Sequence, residues 1–79
     1  MSGEAQIQTE DGEYAIARRA GQDYSVIRVK DAVKVGEFLV APNEHGELTA
    51  WVHAMSDTGA THELIAKIAR YAIATGLPK

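Results

Sequence analysis

The chain contains no cysteine, so neither a disulfide nor a thiolate metal site can support its fold. It has one tryptophan, one phenylalanine and two prolines in 79 residues. Its apolar runs stop at four residues, as in Tyr71 to Ala74, far short of the ~20 that cross a membrane. Met1 to Glu10 is polar and lacks the basic start of a secretory signal. These absences predict a cytoplasmic protein with no membrane association. Repeats, low-complexity tracts, a Gly-x-Ser-x-Gly elbow, a phosphate-cradling glycine loop and a dinucleotide fingerprint are absent too.

The residues present suffice for one small domain, 1–79, with 1–5 expected as a flexible tail. Apolar residues make up 46%, but 13 of them are alanine, which leaves 23 larger side chains. Phe, Leu, Ile and Val together number only 17. A core of that size supplies about 3–5 kcal/mol at best. Association with a partner is the remaining way for such a domain to gain stability.

Two periods divide the chain. Up to Met55 the apolar residues alternate in short runs separated by turn signals. After a short strand containing Ile7, Glu10-Asp11-Gly12 reads as a hairpin turn, because Asp-Gly tolerates positive φ. Glu13 to Ala20 and Tyr24 to Lys30 flank a second turn at Gly21-Gln22-Asp23. Asp31 to Gly36 is ambiguous between a helical turn and a bulged link. Glu37 to Ala41 reads as a strand, and Pro42 to Gly46 as a turn. In the strand Glu47 to Met55, Leu48, Ala50, Val52 and Ala54 share one face, and Thr49, Trp51, His53 and Met55 the other.

Thr61 to Thr75 carries a helical stripe: Leu64, Ile65, Ile68, Ala69, Tyr71 and Ala72. Thr61 is the expected N-cap, Glu63 favours the N-terminal dipole, and Gly76 and Pro78 end the helix. The fold class is therefore α+β: an antiparallel β-meander of four to five strands with one C-terminal helix packed on one face.

One helix covers one face, yet both faces carry large apolar residues. Leu39 opposes Phe38 and Val40, and Trp51 opposes Leu48 and Val52. This predicts a second apolar face for a partner protein or a homodimer. Trp51 is the expected anchor, joined by Tyr24, Arg28 and the acidic turn residues Glu44 and Glu47.

Charge is segregated along the chain. Residues 1–17 carry −4, 18–34 carry +3, 35–66 carry −5 and 67–79 carry +3, for a net −3. The acidic balance suits a stoichiometric regulator or inhibitor that meets a basic surface, such as the groove of a nucleic-acid-binding enzyme. Small size and acidity also fit a phage or mobile-element source. The alternative is a nucleic-acid-binding module in which Arg18, Arg19, Arg28 and Lys30 line a basic hairpin and Tyr24 stacks on a base. No catalytic residue, cofactor or metal site is predicted. The spacing of His53, Asp57 and His62 matches no compact metal motif, and Ser56 among them forms no recognisable triad.

Overall fold

A computed structural model describes residues 4–10, 12–55 and 62–77. Five strands come first: β1 (Glu4–Thr9), β2 (Gly12–Ala20), β3 (Asp23–Arg28), β4 (Val33–Pro42) and β5 (Leu48–Met55). One helix, α1 (His62–Thr75), follows. Each strand pairs antiparallel with the next, in the order β1-β2-β3-β4-β5, and α1 packs on one face. The α+β meander read from the sequence is thus the observed fold, with five strands. Glu4 and Ala5 pair with Ala17 and Ile16, so the end of the expected tail belongs to β1. Thr61, Ser56, Asp57 and Pro78 lie outside the described residues.

The turns form where local chemistry requires them. Asn43 organises the β4–β5 turn: its Oδ1 accepts from the backbone N–H of His45 (2.8 Å) and of Glu47 (3.0 Å). This side chain replaces backbone partners that a tight turn leaves unpaired. Gly46 closes the turn at φ 79°, a backbone conformation that a residue with a Cβ adopts only under strain. The ambiguous segment resolves as a turn followed by a long strand. Ala32 sits at φ 58°, and β4 begins at Val33. A bulge then inserts Val35 between the pairs Ile27–Lys34 and Val26–Gly36. Val35 is buried by that insertion, which explains why simple alternation fails there.

The core lies between α1 and one sheet face. Ile65, Ile68, Ala69 and Ala72 recur at helical spacing and are all buried. They meet Tyr14, Ile16, Tyr24, Val26, Val35, Phe38 and Val40. Tyr24 and Phe38 are cross-strand partners, and their rings stack at 5.4 Å between centroids. Such a pair stabilises by about 0.5–1.5 kcal/mol beyond the area it buries. Tyr71, expected in the buried stripe, instead lies exposed at the helix edge. Gly36 permits the close approach of helix and sheet, because a Cβ there would stand 2.9 Å from Ile65 Cγ1 and Cδ1.

Candidate interaction face

The face opposite α1 has no covering layer among the described residues. Leu39 and Trp51 are direct cross-strand partners there, 41% and 59% exposed. Period-2 geometry puts them on this side because their neighbours Phe38, Val40 and Val52 point to the helix. Asp23 of β3 is paired to Leu39 on the other flank.

Beside this apolar pair lies a charged network drawn from four strands. Arg19 bridges Asp23 at 2.9 Å and stands 3.5 Å from Glu37. Lys34 bridges Glu37 at 2.7 Å. His53 completes the set, with Nε2 hydrogen-bonded to Asp23 Oδ1 at 2.8 Å and Nδ1 3.9 Å from Glu37 Oε1. A bulge positions His53, the extra residue between the pairs Glu37–Ala54 and Phe38–Val52. Burial pushes the Asp23 carboxyl up, but hydrogen bonds and charge from His53 and Arg19 outweigh it and hold the pKa below its ordinary value. The Lys34 hydrogen bond lowers the Glu37 pKa, with help from Arg19 and against burial. The same partnership raises the Arg19 pKa, first through its hydrogen bond to Asp23. The acids lie deeper than the cations, so Arg19 and Lys34 form the solvent-facing rim.

No family model, curated protein or solved structure matches this chain.

The structure separates the predicted contact residues. Trp51 is on the uncovered face as expected. Glu44 and Glu47 are exposed in the β4–β5 turn, with Glu47 hydrogen-bonded by the Asn43 side-chain amide at 3.4 Å. Tyr24 is 4% exposed and stacked on Phe38, so it belongs to the core and reaches neither a partner nor a base. Arg28 is held by Asp31 through bonds of 2.9 and 2.7 Å, which lower the Asp31 pKa and raise its own.

The basic hairpin also comes apart. Arg18 is opposite Tyr24 at one end of the β2–β3 ladder, while Arg28 is opposite Tyr14 at the other. Four residues of strand separate them by about 14 Å, so they do not sit side by side. Arg18 Nε donates to Gly21 O at 2.7 Å, Arg19 is engaged by two acids, and Lys30 is exposed in the β3–β4 turn. A cation row requires unmatched charge on one face; here the acids interleave with it.

Sequence reasoning missed Asp23, Lys34 and Glu37 as members of a site. Asp23 is distant in the chain from Lys34 and Glu37, and only strand register brings the two groups together. Arg19 and Asp23, four residues apart across a tight turn, and Lys34 and Glu37, three apart in β4, were the local signals. His45 is exposed beside Glu44, and His62 is exposed at the start of α1. Among the described residues no group of three His, Asp or Glu side chains is arranged to hold a metal. Among them, too, no helix is long and apolar enough to cross a membrane. Two open grooves flank α1: one of about 310 Å³ against β1 and one of about 340 Å³ against β5.

Proposed function

We propose that this chain is a non-enzymatic protein-binding module, acting stoichiometrically as a regulator or inhibitor through the uncovered sheet face. The observation that carries this reading is the exposed Leu39–Trp51 pair beside an ordered charged network. Trp offers a large apolar surface with few rotatable bonds, which is why it is enriched at binding hot spots. The network of Arg19, Asp23, Glu37, Lys34 and His53 is already formed, so a partner need not order it. The partner suited to this surface offers an apolar pocket for Trp51 and basic groups that reach Glu44 and Glu47. The net charge of −3 favours encounter with such a basic surface.

Trp51 is the only tryptophan, so its emission reports directly on burial of the face. Tagged wild type, Trp51→Ala and Leu39→Ala proteins should be compared for stoichiometric capture from nuclease-treated host lysate. Both variants should stay folded by far-UV circular dichroism and lose the captured protein. Equal capture by all three would remove the uncovered face from the interaction. Capture that depends on nucleic acid would favour the basic segment instead.

A further inference from the structure

The two edges of the sheet differ. β1 carries Glu4, Gln6 and Gln8 along its six residues, whereas β5 runs Leu-Thr-Ala-Trp-Val-His-Ala-Met with no Lys, Arg, Asp, Glu or Pro. An outer strand exposes a row of unpaired N–H and C=O groups, and proteins usually guard it with charge, proline or a covering segment. β5 has no such charge or proline, and Leu48, Trp51 and Met55 on it are about half exposed. The helix packs on β5 and β4 and leaves a groove open along this edge. The groove of about 340 Å³ between them is floored by Leu48 and Ala50 and walled by Ala66, Arg70, Ile73 and Ala74.

We infer that β5 pairs with β5 of a second copy, antiparallel across a two-fold axis at Ala50, to form one ten-stranded sheet. The bulge at His53 sets the register. A bulge bends the strand, so the regular stretch is Leu48 to Val52, and its midpoint is Ala50. Pairing about Ala50 places Leu48 of each protomer against Val52 of its partner on the helix side. It places Trp51 against Thr49 on the uncovered side, an aromatic residue beside a β-branched one, which is a favourable cross-strand pair. The small Ala50 at the axis keeps the centre free of collision. Val52 of each copy, standing opposite the other's Leu48, is delivered to the mouth of that copy's groove, so the surface is self-complementary. A second copy fits better than an unrelated strand because it supplies both halves of this match, a chargeless strand and an apolar side chain for the groove. With the two-fold normal to the sheet, both uncovered faces point the same way. The two Leu39–Trp51 pairs then become neighbours on one surface.

Sedimentation equilibrium and cysteine cross-linking test this directly. Wild type should sediment as a dimer; a monomer at every accessible concentration would overturn the inference. The chain has no native cysteine, so Ala50→Cys introduces the only thiol. Residues facing across the axis have Cα atoms about 4.5–5.5 Å apart, inside the roughly 4.4–6.8 Å a disulfide spans. Mild oxidation should link Ala50→Cys chains into a covalent dimer and leave Ala54→Cys chains unlinked. A dimeric Ala50→Cys protein that does not cross-link would refute the edge pairing. Leu48→Lys buries a charge at the junction and should weaken the dimer by about tenfold or more. Leu39→Lys, on the uncovered face, should leave it intact. The reverse pattern would show a face-to-face dimer and overturn the proposal. The cysteine result stands even if Leu48→Lys fails to fold, and none of these readouts depends on the external partner.

Discussion

Replacing Gly36 with alanine tests the helix–sheet contact through the sign of a stability change. Gly36 lies in β4 opposite Val26 and is not at positive φ. At a glycine whose backbone any residue can adopt, alanine normally stabilises by about 0.4–1 kcal/mol, because the unfolded chain loses freedom. Here the added methyl would lie 2.9 Å from two carbons of Ile65 and 3.0 Å from the Ala54 carbonyl oxygen. Carbon atoms in good contact sit about 3.5–4.0 Å apart, so the site is short by more than half an ångström. Ile65 is fully buried and has no solvent to move into. The Ala54 oxygen belongs to the neighbouring strand and cannot rotate away. Overpacking of this kind costs about 1–3 kcal/mol, which outweighs the entropic gain. For a domain this small the loss is a large share of total stability. Urea unfolding followed by far-UV circular dichroism is the suitable assay, since the exposed Trp51 reports poorly on the core. The midpoint should fall for Gly36→Ala. Combining it with Ile65→Val, which removes Cδ1, should cost less than the sum of the two single changes. An unchanged or raised midpoint for Gly36→Ala would refute the close approach of α1 to β4.

Two further predictions concern stability. Asp23 is held below its ordinary pKa by hydrogen bonds and charge from His53 and Arg19, and Glu37 by Lys34 and Arg19, so their stabilisation is complete above the unfolded values near about pH 4 and is lost as pH falls through the lower folded values. Asp23→Asn combined with Glu37→Gln should therefore flatten the acid side of the urea-midpoint profile, and an unchanged slope would show that the network contributes nothing to folding. Ala32 occupies the left-handed region at φ 58°, which costs an L-residue roughly 1–2 kcal/mol. Ala32→Gly relieves that strain at some entropic cost and should raise the melting temperature modestly, whereas Gly at the exposed, extended Ala20 of β2 should lower it.

The elements of this protein were legible because their signals are local. Period-2 alternation in β2, β3 and β5, the turn chemistry of Asn43 and Gly46, and the Ile65–Ala72 stripe all act within a few residues of chain. They fix an antiparallel meander and a C-terminal helix before any long-range contact is known. Local alternation also put Trp51 opposite Val52, and Leu39 opposite Phe38. It could not say which set faced α1. For Tyr24 the answer was the core, through its stack on Phe38, and the expected role in binding fails for that reason.

The uncovered face is a matter of register, which the sequence does not display. Arg19, Asp23, Lys34, Glu37 and His53 come from four strands and span 34 residues of chain numbering. They meet because three bulges, at Arg19, Val35 and His53, shift the ladders by one residue each. A bulge has no strong composition signal, and a one-residue slip would turn these side chains to the opposite face. The same register separates Arg18 from Arg28 and dissolves the basic hairpin. Thus the sequence by itself determined the order and type of the elements, the lack of charge on β5 and the existence of two apolar faces. Tertiary structure decided which face α1 buried, because only packing around Gly36 and Ile65 distinguishes the two. It also decided which charges became neighbours, because hydrogen-bonded register, and not proximity along the chain, sets distances across a sheet.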